Sequence, residues 1–351
     1  MPTNTEINQK LLQQILELYN NAEIKMLEII KSSAAPDGYE HWASVQIKNI
    51  QEVRQEIEKV IKDTSKVANS QISNAILEAY NKSQLNVNKD FGIPNTILKT
   101  IDQVPASVQR LILESNMLVQ NSIIPILRQT NDIYRQVISN ASSYVQLGTD
   151  TPQQAMQQSL NKLAAKGITG FVDSAGRNWE LSSYIEMAIR TATGHASLQG
   201  HIDRQVELGY DLVKVSSHNG SCPICAPWAG KVLSITGKTK GYPTLEEAKL
   251  AGLFHPNCKH TIYAYYPDIY KDKKISPIQH NYENNNELYQ ATQAQRYNER
   301  QIRKWKRMQA AAITPEAKII SQNKIVYWQS KQRELIKQYN LKRQYWREKV
   351  K

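Results

Sequence analysis

SSHNGSCPICAPWAGKV occupies positions 216–232 and LFHPNCKHTIYAYYP positions 253–267. These two stretches hold all three cysteines of the 351-residue chain and three of its seven histidines, His218, His255 and His260. A C-x-x-C turn lets two thiolates converge on one ion, and a second ligand pair normally arrives from a distant turn. Cys222 and Cys225 form the first pair. Cys258 belongs to the second, completed by His255 as H-x-x-C or by His260 as C-x-H. His255 is preferred, because H-P-N-C repeats both the spacing and the proline of C-P-I-C and predicts the same kind of turn; 29 residues then separate the pairs. His260 and His218 stay as alternatives, and a histidine left over from such a site ordinarily hydrogen-bonds to backbone or to a coordinating thiolate.

Other chemistries fit this pattern less well. A thioredoxin-like redox pair sits at the N-terminus of a helix that follows a strand, whereas here Pro227 and Gly230 follow at once and a strand comes next. Zinc deaminases carry H-x-E ahead of P-C-x-x-C, and no H-x-E occurs in the chain. The expected cofactor is therefore one structural Zn2+ in a closed Cys3His site, with no catalytic residue, and the chain is read as not an enzyme. The competing reading is a zinc-dependent nucleic-acid-binding enzyme of nuclease type, which needs an open metal position and an activating base. The sequence does not assemble that set.

Working outward, GITGFVDSAGRNWEL from Gly167 reads as a β-hairpin, with Asp-Ser-Ala-Gly as its turn. A helix is predicted from Ser182, with Gly194 and Gly200 as weak points and Gly209 as a left-handed cap. DLVKVS, KVLSI and TIYAYYP are predicted strands, and PTLEEAKLAG a short helix capped by Thr244. Residues 166–270 thus form a small α+β domain whose core is weak enough to profit from a metal staple.

Residues 1–165 read as all-helical. Ile7, Leu11, Ile15, Leu18 and Ala22 share one helical face, and Ile47, Ile50, Val53, Ile57 and Ile61 another, with SSAAPDG at 32–38 between them. Further helices are predicted over 106–122 and 125–146, Pro125 suiting a first turn, before LGTDTP at 147–152 caps the next. Beyond 270, KDKKISP and the Asn-rich HNYENNNE read as a linker, and the rest of 271–351 as an extended basic helical arm. The fold class is α+β in three parts: 1–165, 166–270 and 271–351.

The net charge is +12, and the segment from Arg296 to Lys351 alone carries sixteen Lys and Arg against four acids, a surplus of twelve. Basic helices interleaved with Trp and Tyr can track phosphates, and Arg300, Arg303, Lys304, Lys306 and Arg307 are the candidate contacts to double-stranded DNA, bound without base readout. No run reaches the roughly 18–20 apolar residues of a transmembrane helix, and MPTNTEINQK lacks the order of a signal peptide, so synthesis in a reducing cytoplasm is expected. An odd number of cysteines also argues against a disulfide framework.

The runs DSAGRNWELSSYIEMAIRTATGHASLQG, LGYDLVKVSSHNGSCPICAPWAGKVLSITG and HPNCKHTIYAYYPD resemble the minor capsid protein 2 family of tailed bacteriophages, related more distantly to Mu F-like head morphogenesis proteins. The resemblance spans about residues 170–268. It implies a virion protein present in few copies, associated with portal and capsid proteins in the head interior and acting in assembly, DNA packaging or genome delivery. The family's H-P-N-C-[KR] element is similar to His255–Lys259, and its C-x-x-C to Cys222 and Cys225, which implies the same ligand set.

Overall fold

The computed structural model describes residues 5–33, 49–94, 98–146, 151–167, 171–172, 176, 178–267 and 282–350. Its order is α1 (Thr5–Ser33), α2 (Ile50–Asp90), α3 (Ala106–Gln146), α4 (Pro152–Lys166), β1 (Phe171–Val172), β2 (Asn178–Trp179), α5 (Leu181–Glu207), β3 (Leu212–Val215), β4 (Val232–Ser234), α6 (Leu245–Leu250), β5 (Ile262–Ala264), α7 (Tyr282–Ala310), α8 (Pro315–Tyr339) and α9 (Tyr345–Glu348). The fold is α+β: mostly helical, with one two-stranded and one three-stranded antiparallel sheet.

Two compact units are each drawn from three separated stretches. Met1–Gln13, Ser70–Met117 and Glu186–Thr292 make the first; Gln14–Asn69, Leu118–Ile185 and Gln293–Lys351 make the second. This interleaving follows from helix length, since α1, α2, α3, α5 and α7 each pass from one unit to the other.

In the first unit the sheet order is β4-β3-β5. Val213, Val215, Leu233 and Ile262 of the sheet share a core with Leu198 of α5, Leu245 and Ala248 of α6, and Leu253 and Phe254. Thr244 caps α6 in a box with Glu247, as its T-x-x-E spacing dictates. The Asp211 carboxylate accepts hydrogen bonds from the Ser234, Thr236 and Thr239 hydroxyls and fastens the loop after β4. Phe91, Tyr210 and Tyr266 stack edge and tilt against one another, tying the end of α2 to the flanks of β3 and β5. Gly209 closes α5 at φ +79°, and Gly200 marks where α5 crosses α2 closely: a Cβ there would lie 2.4 Å from the Tyr80 carbonyl oxygen.

In the second unit, α3 runs unbroken through Pro125, where the sequence reads two helices. An interior proline removes one backbone bond, but the apolar face continues on both sides of it in Val119, Ile126, Tyr134, Val137 and Ile138, all buried, and packing of that face outweighs the loss. The basic C-terminal helices are not an extended arm. Lys31 donates to the Ala310 carbonyl, Asn20 to that of Lys349, and Arg307 to that of Ala164, so α7 lies against α1 and α4, and the chain end after α9 against α1. The hairpin pairs Phe171 with Trp179 as read, although most of its turn lies outside the described residues. So does KDKKISP; of the Asn-rich run, the part from Tyr282 onward is already helix α7.

Candidate metal centre

β3 ends at Val215 directly beside Ile262, the first residue of β5. Because these strands are antiparallel neighbours, the chain leaving β3 and the chain entering β5 are held side by side. The ladder is extended by Ser216 and Thr261, whose backbone N–H and carbonyl meet at 2.8 Å. The C-P-I-C turn follows one strand and the H-P-N-C turn precedes the other, so topology brings together two turns with 29 residues between them.

Both turns close in the same way: the Cys225 N–H donates to the Cys222 carbonyl at 3.1 Å, and the Cys258 N–H to the His255 carbonyl at 2.9 Å. They differ in type. Asn257 stands at φ +66°, the conformation that position i+2 of a type II turn requires and that Asn tolerates. α5 buttresses this turn, with His195 Nε2 3.1 Å from the Phe254 carbonyl and Thr191 Oγ1 accepting from Asn257 N–H.

The donor atoms fall into two triads, Cys222–Cys225–His255 and Cys225–Cys258–His260, each gathered within 4.8 Å and sharing the fully buried Cys225. His255 Nε2 lies 3.0 Å from Cys222 Sγ, and Cys225 Sγ lies 3.6 Å from Cys258 Sγ. A tetrahedral zinc with bonds of about 2.3 Å to sulfur has S···S edges of about 3.8 Å, so this spacing fits. His255 Nδ1 sits 2.8 Å from the Pro256 carbonyl and donates its proton there, which turns Nε2 toward the sulfurs. The four ligands preferred on sequence are thus near neighbours rather than one closed tetrad, because Cys258 also faces His260 Nδ1 at 3.5 Å.

The two alternative histidines lie beside this cluster, His260 as a donor of the second triad. Ser221 Oγ donates to the His218 carbonyl and so accepts from His260 Nε2 at 3.2 Å, which orients the His260 ring. The His218 ring packs on that of His260 at 4.3 Å, and burial, first among several causes, pushes the His218 pKa down. The Cys225 thiol donates to Cys258, and with help from His260 this outweighs burial and draws Cys258 down to about 4. Cys225 is correspondingly pushed up by Cys258 and by burial. Burial opposes ionisation of Cys222, but the Cys225 N–H and His255 lower it. One thiolate is thus stabilised at neutral pH before any cation arrives.

Asn285 escapes sequence reasoning. Its Oδ1 accepts from the Gly220 and Ser221 N–H groups at 2.8 and 3.0 Å, and its Nδ2 donates to the Ser221 carbonyl, clamping the loop that leads into Cys222. Nothing in an Asn-rich run marks that one member for this task.

The five basic candidates separate sharply. Arg303 and Arg307, one turn apart on α7, are buried and ion-paired to Glu180, with Arg307 also 3.6 Å from Glu23. Burial alone would raise the Glu180 pKa; the two guanidiniums outweigh it and hold the carboxyl far below the usual carboxylate range. Lys306 is half-buried and donates to the Glu348 carbonyl. Arg300 is exposed and Lys304 is half-buried like Lys306; Arg300 and Lys304 each lie over an aromatic ring.

A family model described as phage minor capsid protein 2 matches residues 5–337. A structural protein of Lactococcus phage LL-H is 26% identical over 267 residues, which cover 69% of this chain and 70% of that protein. No solved structure matches.

Proposed function

Because the chain belongs to the phage minor capsid protein 2 family, we propose that this phage structural protein works in the head as a metal-stapled connector. The carrying observation is the meeting of the C-P-I-C and H-P-N-C turns at the β3–β5 edge. Cys222, Cys225 and His255 would hold one Zn2+, with Cys258 turning from His260 to close the site. An ion with four protein ligands has no open position, and it would supply folding energy, on the order of 10 kcal/mol in small zinc modules.

Residues 1–165 serve as the docking part and 166–270 as the stapled module. The resemblance of residues 170–268 to head-morphogenesis proteins supports a station at the portal vertex, inside the head, in assembly, packaging or delivery. Among the described residues no helix is long and apolar enough to cross a membrane. Cross-linking mass spectrometry on intact particles tests the role. Links from the first 165 residues to portal or capsid protein are expected; absence of the protein from purified particles would overturn it.

A further inference from the structure

The net charge of the chain is located between Arg296 and Lys351, and the fold divides those cations into two sets. Arg303, Arg307, Arg343 and Arg347 are turned against Glu180, Glu23, Glu348 and Glu299, with which they pair. Lys304 of α7 and Lys324 of α8 have no carboxylate partner among the described residues. Their ammonium groups instead lie over one indole, each 6.0 Å from the centre of the Trp305 ring, and Lys324 is also 5.8 Å from that of Tyr327. Two like charges held to one ring are at most about 12 Å apart, and in water a ring returns less than a counter-charge does. The pair belongs to a group of cations, Lys318, Arg333 and Lys337 among them, that no carboxylate of the described residues neutralises, and it offers an external anion a place to bind.

The rings around this pair touch one another, with Tyr297 and Tyr327 still about half exposed. Trp328 meets Tyr297 edge-on at 5.6 Å and Tyr327 at 5.3 Å, and Arg300 lies 5.9 Å over Tyr297. A ring engaged at its edge with a cation beside it helps to position that charge. The basic character also continues along α8. Its exposed residues include Lys318, Lys324, Lys331, Arg333 and Lys337 against Glu316 and Glu334, and only Ala317, Ser321, Ile325 and Gln332 are buried. A surplus of positive charge, five cations against two acids, spread along a helix of 25 residues, roughly 37 Å at 1.5 Å per residue, matches a polyanion of regular spacing.

We infer that the face of α7 and α8 centred on Lys304, Trp305 and Lys324 binds the phosphate backbone of duplex DNA without reading its sequence. The inference does not depend on the metal site. Lys304 was among the contacts expected from sequence; Lys324 was not, and the inward Arg303 and Arg307 take no part.

The test is fluorescence anisotropy with the full chain and a labelled random-sequence duplex, titrated with salt. Each lost phosphate contact changes the slope of log K against log salt by about 0.9 and affinity at 0.1 M salt by about 8-fold. Lys304→Gln/Lys324→Gln should therefore reduce the slope by about 1.8 and weaken binding about 60-fold. The charge-matched control Lys59→Gln/Lys66→Gln, two exposed lysines of α2, should change it far less, and thermal melts should show all chains equally folded. No binding to duplex by the unaltered protein, or equal losses in both double variants, would overturn the assignment. So would tighter binding of poly-glutamate than of duplex, which would give the face to an acidic protein neighbour. Single-stranded DNA bound more tightly than duplex, with quenched tryptophan fluorescence, would also overturn it.

Discussion

Two glycines six residues apart on α5 should respond to the same substitution with opposite signs. Replacing an interior helical glycine by alanine removes backbone freedom from the unfolded chain and is worth about 1 kcal/mol where space allows. At Gly194 nothing lies within 4 Å of the added methyl group, so Gly194→Ala keeps the whole gain. At Gly200 the methyl group would lie 2.4 Å from the Tyr80 carbonyl oxygen, 3.1 Å from its carbon and 3.3 Å from Ser83 Cβ. An ordinary carbon–oxygen contact is about 3.3 Å, so α2 and α5 would have to part by most of an ångström. They cannot slide freely, because Tyr80 Oη donates to Asp203 at 2.8 Å and Arg204 Nε to Asn88 at 2.5 Å across the same crossing. Overpacking against backbone costs about 1–3 kcal/mol, and with the helices pinned the upper end applies, leaving Gly200→Ala a net loss of about 1–2 kcal/mol. For a body of 150–250 residues this is roughly 2–4 °C per kcal/mol. Thermal and urea unfolding of the two variants should thus move in opposite directions. Equal stabilisation by both would refute the close crossing of α2 and α5.

Other perturbations probe other parts of the structure. Glu180→Gln leaves the buried Arg303 and Arg307 short of a counter-charge and should cost about 3–5 kcal/mol by urea unfolding. In the unaltered protein the same contribution is present above the ordinary carboxylate pKa, about 4.3, and is lost as pH falls below it, because the folded value is depressed. His201 is buried with no hydrogen-bond partner among the described residues, and burial pushes its pKa down to about 4. Below its ordinary value of about 6.5 the unfolded chain binds the extra proton, so stability should fall by about 2 kcal/mol from pH 7 to pH 5. His201→Leu should flatten that slope. Asn285→Ala removes three hydrogen bonds from the Gly220–Ser221 loop and should cost about 1–3 kcal/mol, with faster loss of metal to a chelator.

The parts legible in the sequence were those with local causes. Thr244 and Glu247, Gly209, and the repeated spacing of C-P-I-C and H-P-N-C each specify their own turn or cap within a few residues, and the structure forms each of them. What was hidden depends on partners far along the chain. Gly200 reads as a helix weakness until Tyr80 is seen against it. Arg303 and Arg307 look like surface cations because Glu23 and Glu180 lie more than a hundred residues away. Pro125 reads as a helix start because the long-range packing that carries α3 through it leaves no local mark. At the cysteine cluster, spacing identified the residues, and only the β3–β5 register explains why they meet and why His260 competes for Cys258.

The most direct test is the zinc content of the purified full chain by elemental analysis, beside Cys258→Ser. About one zinc per chain is expected, as a closed four-ligand site requires, lost in the variant together with cooperative unfolding of the sheet and its turns. Protein prepared without chelator that holds no metal, with a variant that folds and melts like the original, would contradict the metal staple.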